Sequence, residues 1–508
     1  MKNFLYIIFL SLPLSSALYY EADPFFLFEY EMNQFNSNDF NDNLNNRPTF
    51  SLDIEKKFNL DFNVWYYYND NAPNLENTSN RWVSKGSSFY NSVHLDYFYD
   101  FNFPFLKNNK VLFSIEPYLF TSENLSFSSQ HTLPLFQNLN DGLAHDERPY
   151  LSSGLRESQL LFVNNDFGFG YANTNMWWGP GLHNSLHISN NTSGFNYLFL
   201  GTTSEKRISS FGYDVKYIFS KLDKTDYNPY FTGLSTSFTY HSNPIITVGL
   251  LRSFLSGGSK TTDDISMVDA MLLPFEAFFK NTLAENASNN NPDDDADQTA
   301  SFFMSILFPQ SNFKLYLEYG WNDHRWDLAD FLQHFDHTSA SIIGFRKYGL
   351  FNNEKIISGF EYTNLVAPDY TRGGASWYSR EMFDFHTYDG RRFTAHSGFD
   401  SNDLYLYIGY ISNLKSLIFS FNYERHGVNH SITLSENQDL FNEFYVPEYK
   451  VEFKIDARKS FDFGEIFMIY EFEFYDNLNF PPQQPNPRFP GENRKTNVFG
   501  IGFKKNLK

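Results

Sequence analysis

Two adjacent indoles open the stretch whose residue types could do chemistry: Trp177-Trp178-Gly179-Pro180-Gly181-Leu182-His183-Asn184-Ser185-Leu186-His187-Ile188-Ser189-Asn190-Asn191. Flat aromatic faces suit the C–H-rich side of a pyranose ring, and amides beside them suit its hydroxyls. Trp177, Trp178, Asn184, His187, Asn190 and Asn191 supply both within fifteen residues. The same residues have an architectural alternative: Gly-Pro-Gly turns a loop inward, and the indoles and amides then plug a cavity and satisfy its backbone.

Further clusters extend the list. Asn322-Asp323-His324-Arg325-Trp326-Asp327 crowds acids, amide, imidazole and indole at a strand end, as a sugar or cation site or as a hydrogen-bonded loop anchor. Residues 366–403 carry Arg372, Trp377, Tyr378, Arg380, His386, Arg391 and Arg392, whose guanidinium groups would suit the carboxylates of an acidic polysaccharide, unless the loop is simply solvated. Asp293-Asp294-Asp295-Ala296-Asp297 follows an Asn-Pro stretch without EF-hand spacing or a turn glycine, so it reads as a solvated acidic tip. No metal site or cofactor is assigned.

Composition bounds the chemistry and the fold. With no cysteine among 508 residues, disulfides, a thiolate nucleophile and a lipoprotein anchor are excluded. Thirty-nine basic against 59 acidic residues gives a net charge of −20, and no basic patch is long enough to track phosphates, which argues against nucleic acid. One residue in five is aromatic, yet mean hydropathy is −0.44. After the N-terminus no run reaches the roughly 18 apolar residues of a spanning helix, so any crossing of a membrane must use strands.

The elements that position these clusters follow from periodicity. Lys2, the apolar run Phe4 to Leu14 and Ser15-Ser16-Ala17 read as a signal peptide over 1–17, cleaved after Ala17. Residues 18–47 read as a short periplasmic lead-in, and 48–508 as the barrel described next. From Phe50 a period of two sets in: Phe50, Leu52, Ile54, Phe58, Leu60, Phe62 and Val64 share one face, and Ser51, Asp53, Glu55, Lys57, Asn59, Asp61 and Asn63 the other. Phe313 to Trp321 and Val451 to Arg458 repeat the pattern with charge on one face only, and Tyr66-Tyr67-Tyr68 suits an interfacial aromatic girdle.

Eighteen such segments, from 48–68 to 496–504, are joined by alternating short and long connections. The short ones are Asp166, Glu205-Lys206, Asn243-Pro244, Gln310-Ser311, Asn413-Leu414 and Asp462-Phe463, with Phe103 to Asn109 and Gly349 to Glu354 slightly longer, whereas the connections alternating with them run from about a dozen residues to more than forty. A soluble sandwich has no reason to sort loops by length. A barrel inserted from the periplasm does, with short periplasmic turns and long extracellular loops. The fold expected is all-β: a transmembrane antiparallel β-barrel in the bacterial outer membrane. Thr496 to Lys504, with Phe499, Ile501 and Phe503 on one face, resembles the C-terminal signal read by barrel-assembly machinery, although a basic tail follows it.

The motifs then acquire a family resemblance. Trp178-Gly179-Pro180-Gly181, Asn184-Ser185-Leu186 and Ile188-Ser189-Asn190-Asn191 resemble the signature of the capsule assembly protein Wzi family. Glu318, Asn322-Asp323-His324, Trp326-Asp327-Leu328, Asp330-Phe331-Leu332 and Gly344-Phe345-Arg346-Lys347 agree, as do Trp377-Tyr378, His386 and the stretch to Gly398, so the resemblance spans 160–410 in order. The N-terminal region resembles it less, being too short before its first strand for the periplasmic helices some members carry. The resemblance implies an eighteen-stranded barrel whose extracellular loops fold over the lumen and hold capsular or other surface polysaccharide, lectin-like and without catalysis. Trp177, Trp178, Asn184, His187, Asn190, Asn191, Asp323, His324, Trp326, Arg372, Trp377 and Arg380 are the expected carbohydrate-binding residues.

Expected partners are the polysaccharide, outer-membrane lipid and lipopolysaccharide, and barrel-assembly machinery during insertion; the barrel is expected to be a monomer. The alternative is a porin or sugar-specific channel. A remoter one is an outer-membrane phospholipase, from the His187-Ile188-Ser189 spacing, but that stretch falls in a loop rather than on the outer face of a barrel.

Overall fold

The computed structural model describes residues 24–40, 44–47, 58–101, 108–131, 139–141, 149–259, 265–283, 296–322, 338–366, 377–378, 383–384, 386–398, 400–428, 447–479 and 491–506. Eighteen antiparallel strands close a barrel: β1 Phe58–Asn69, β2 Gly86–Phe101, β3 Asn109–Ser122, β4 Tyr150–Asn164, β5 Phe167–Ala172, β6 Tyr197–Thr202 resuming at Lys206–Ile208, β7 Phe211–Lys221, β8 Tyr230–Tyr240, β9 Ile245–Ser256, β10 Ala296–Phe308, β11 Phe313–Asn322, β12 Ser339–Leu350, β13 Asn353–Asn364, β14 Ser401–Tyr410, β15 Lys415–His426, β16 Glu448–Phe461, β17 Gly464–Leu478 and β18 Glu492–Asn506. Each pairs with its neighbour, and β1 closes on β18 from Asp61↔Asn506 to Asn69↔Val498, so no strand edge is left open.

The barrel is inside out relative to a soluble core. Phe62, Phe89, Leu250 and Phe453 point outward and are exposed, Leu250 by 59%, while Asp61, Glu116, Lys314, Glu318 and Glu452 point inward and are buried. A sandwich would bury the first set, and lipid is the environment that suits it. Parity also divides the aromatic triplet: Tyr68 is exposed and Tyr67 buried, where it accepts a 2.8 Å hydrogen bond from Arg81. Residues 48–57, the start of the expected first strand, lie outside the described residues. The connection expected at Glu205-Lys206 is displaced: Lys206–Ile208 pairs with Phe211–Tyr213, so the turn falls at Ser209-Ser210 and β6 is broken at Thr203–Glu205. Glu205 turns there to His241 at 2.5 Å and Thr239 at 2.6 Å.

Two helices depart from the expectations. The stretch read as a lead-in contains α1, Pro24–Ser37, inserted into the short-turn end of the lumen. Proline suits the first helical turn, and Phe25, Phe28, Met32 and Phe35 recur at helical spacing. That face packs on the lumenal Trp65, Tyr348, Tyr407 and Phe467, with Phe28 and Tyr407 ring centroids 4.9 Å apart. Glu31 shares the face, 3.0 Å from Arg346 and 3.2 Å from Lys314. The second helix, α2 Met267–Leu283, belongs to the connection between β9 and β10 and does not fold over the lumen. Ser266 caps it through Asp269, and its carbonyls at Ala270, Met271 and Pro274 accept from Thr232, Tyr217 and Arg252, all on outward positions of the wall. Met267, Val268 and Leu272 remain exposed beside the apolar belt.

Burial alone would raise the Glu31 carboxyl, but the Arg346 guanidinium, the Lys314 ammonium and the Tyr348 hydroxyl outweigh it and hold it lowered to about 2. Glu31→Gln would leave two buried cations short of a partner, a local cost of about 3 kcal/mol. Amide hydrogen exchange over residues 24–37 should then accelerate on the order of 100-fold while the strands stay protected. In the unaltered protein the Glu31 contribution should be complete above pH 4.5 and be lost as the pH falls toward 2, because the folded carboxyl titrates below the unfolded one.

Candidate functional site within the lumen

The segment between β5 and β6 turns into the lumen from the long-loop end. Trp177-Trp178 pairs with Asn46-Arg47 as a two-stranded ribbon, and the Arg47 guanidinium lies 5.0 Å from the Trp177 ring centre. Trp178 reaches the wall at Gly233, where an added Cβ would lie 2.7 Å from its ring. Gly179 has φ of +105°, and a Cβ there would meet the Glu318 carboxylate at 2.3 Å, so both conformation and space call for glycine. The next turn wraps the Glu361 carboxylate of β13: the backbone N–H groups of Leu182, His183 and Asn184 donate to it at 2.5, 3.0 and 2.7 Å, and the Tyr316 hydroxyl at 2.7 Å. This is a backbone anion nest filled by the protein's own carboxylate. Arg346 donates to the Pro180 carbonyl at 3.3 Å as well as to Glu31 on α1, so the fillings of the two ends meet through one guanidinium.

The rest of the motif is equally tied down. The two His187 nitrogens lie 2.9 Å from the Ser253 and Ser301 hydroxyls; burial, then nearby His386, pushes the imidazole down to about 3, so it bridges the wall uncharged. Ser189 donates to the Thr394 carbonyl at 2.6 Å, a different partner from those of His187, and the pair forms no nucleophile and base. The side-chain amides of Asn191 and Asn140 exchange two hydrogen bonds of 2.9 Å, and Asn191 also donates to the Arg392 carbonyl. The Asn190 carbonyl accepts from Ser79, and Asn184 donates to Asp403 at 2.6 Å. From the connection between β13 and β14, Trp377 packs over Gly320, and Tyr378 donates to the Leu186 carbonyl and accepts from the Ala395 N–H. Arg391 donates to the Ser79 carbonyl, and His386 sits 2.5 Å from Asp297.

Of the expected carbohydrate-binding residues, Trp177, Trp178, Asn184, His187, Asn190, Asn191 and Trp377 are therefore brought together, and each is at most 3% exposed. None turns a free face to solvent. Asp323, His324, Trp326, Arg372 and Arg380, like Asp293 to Asp295, lie outside the described residues.

Beside this plug lies a cluster that sequence spacing did not indicate. Glu76 from the connection between β1 and β2, His183 from the motif, His396 from the connection between β13 and β14, and Glu424 of β15 bring one donor atom each within 4.8 Å of one another, a set that could hold a metal ion. Asp403 of β14 stands 3.4 Å from His183 and 3.3 Å from His396, and the Lys450 ammonium of β16 contacts Glu76 and, at 2.8 Å, Glu424. A chain of charge pairs continues through His426, Glu448, His131 and Asp141 to Arg494. A small cavity, with room for about one water molecule, opens among Asn74, Glu76, Asn140, His396, Glu424 and Lys450.

Glu361→Leu would orphan three buried N–H groups, each at a cost of about 1–3 kcal/mol. The amides of residues 182–184 should exchange at least roughly 10-fold faster than in the unaltered protein, with protection of β13 itself retained.

No curated protein matches the chain in sequence. Among solved structures, the Escherichia coli outer-membrane protein Wzi, described as a carbohydrate-binding β-barrel involved in group 1 capsule assembly, superposes with a TM-score of 0.56 at 10% identity, over 88% of this chain and 84% of that one. OccAB2 of Acinetobacter baumannii follows at 0.46 and 9% identity, over 89% and 98%. The sequence model of the capsule assembly protein Wzi family matches residues 72–468, most of the chain, and the chain belongs to that family.

Proposed function

We propose that this chain is a lectin-like outer-membrane barrel that binds surface polysaccharide and helps attach or assemble capsule or a related coat. The observation that carries the reading, beside family membership, is the filled lumen: α1 occupies one end, the Trp177–Asn191 motif and its partner loops the other, and buried side chains join them. A barrel so braced favours holding a ligand at its mouth over passing one through. The long loops face the cell exterior and the short turns the periplasm, in keeping with export through the 1–17 signal peptide and insertion by barrel-assembly machinery. The protein acts as a monomer, against outer-membrane lipid and lipopolysaccharide, and no catalytic step is assigned to it.

In this reading the motif is the brace and the sugar is met by the other expected residues, Asp323, His324, Trp326, Arg372 and Arg380. Flat indole and guanidinium groups there would serve an acidic glycan. Retention of purified host polysaccharide by the folded protein separates the roles. Trp326→Ala combined with Arg372→Ala and Arg380→Ala should lower retention at least roughly 10-fold, given one stacking and two charge-assisted contacts. Trp177→Phe with Trp178→Phe should leave it unchanged. The opposite pattern would return the contact to the buried indoles.

A further inference from the structure

We propose that Glu76, His183, His396 and Glu424 form a site for one divalent transition-metal ion of the zinc class, which clamps three plug loops to the barrel wall. Two imidazole nitrogens and two carboxylate oxygens are a donor set that zinc takes in tetrahedral form, with bonds of about 2.0–2.2 Å. Donors so arranged lie about 3.3–3.5 Å apart. Here His396 Nε2 is 2.8 Å from Glu76 Oε2 and 3.6 Å from Glu424 Oε1, and His183 Nε2 is 3.7 Å from Glu76 Oε2; these three pairs bracket that spacing, and all the donors lie within 4.8 Å of one another, so a bound ion would draw the widest pair in by about 1 Å.

Three further observations point to a cation. His396 is 4% exposed, its Nε2 faces the carboxylates of Glu76, Asp403 and Glu424 at 2.8, 3.3 and 3.6 Å, more acceptors than one N–H can serve, and its Nδ1 has no hydrogen-bond partner among the described residues. Carboxylates crowd the cluster: Glu76, Glu424, Glu452 and Glu473 share one ammonium, Lys450, and Asp403 faces both imidazoles, so a divalent ion on neutral imidazoles would supply countercharge that protonated histidine must otherwise provide. Outer contacts already orient the ligands. Lys450 holds Glu76 by its other oxygen, His426 holds Glu424 Oε2 at 2.9 Å, and the His183 ring stacks on Tyr405 with centroids 4.1 Å apart. The Asn422 amide, 2.7 Å from His183 Nε2, is a donor the ion would displace, and it keeps its 2.5 Å bond to Asp403. Glu76, His396 and Glu424 line the adjoining small cavity.

The full-length protein, purified in detergent, stripped with chelator and then titrated with Zn²⁺ alone, should bind one ion per chain by calorimetry and by elemental analysis after dialysis. Co²⁺ in its place should give the intense visible bands of tetrahedral coordination, a readout that needs no variant. His396→Ala and His183→Gln should each weaken binding at least roughly 10-fold while heat-modifiable migration reports a folded barrel, and His241→Ala, at the opposite end, should not. Absence of a stoichiometric ion in the folded wild type, octahedral cobalt bands, or affinity indifferent to both cluster substitutions would overturn the site. None of these outcomes bears on polysaccharide retention, so the metal site and the proposed function stand or fall separately.

Discussion

A barrel whose outer wall meets lipid must turn its polar side chains inward, and a polar lumen that is not filled with water must be filled with partners. That constraint governs the rest of this structure. Lys314, Glu318, Arg346, Glu361, Asp403, Glu424 and Lys450 all sit on inward positions and all are buried. A charge so placed is costly unless paired and hydrogen-bonded. The plug meets the requirement with backbone as much as with side chains: three successive N–H groups on Glu361, a carbonyl on Arg346, and a helix that brings Glu31 to Arg346 and Lys314. Glycine at 179 and 233 lets the backbone and the Trp178 ring come close enough.

The alternation of faces was legible because a strand with lipid on one side and charge on the other writes its period directly into the residues. Phe313 to Trp321 and Val451 to Arg458 keep the parity assigned to them, and the sorting of connections by length indicated a barrel before any residue was placed. What escaped was structure whose signal lies in three dimensions. In α1 the apolar residues are mostly aromatic and mixed with acids and amides, so the segment resembles its Asn-rich surroundings; only the lumenal Trp65, Tyr407 and Phe467 explain why it is a helix there. The break in β6 depends on Glu205 reaching His241, which no local pattern announces.

The candidate site shows a subtler limit. Indoles beside amides are what a sugar-binding surface needs, and they are also what a hydrogen-bonded plug needs, since both must present flat apolar area and satisfy many polar groups at once. The motif was found, and it identified the family, but its residue types could not say that Trp178 would be buried or that Asn191 and Asn140 would pair through their amides. The carboxylate and imidazole cluster was invisible for the opposite reason. Its members, at 76, 183, 396, 403, 424 and 450, come from six elements and share no spacing, and only barrel closure brings them together.

Packed and paired side chains fill the lumen from both ends. Conductance of the purified protein in a planar lipid bilayer tests this most directly: a closed plug predicts insertion without a steady current, whereas large, stable single-channel currents from the unaltered protein would contradict it.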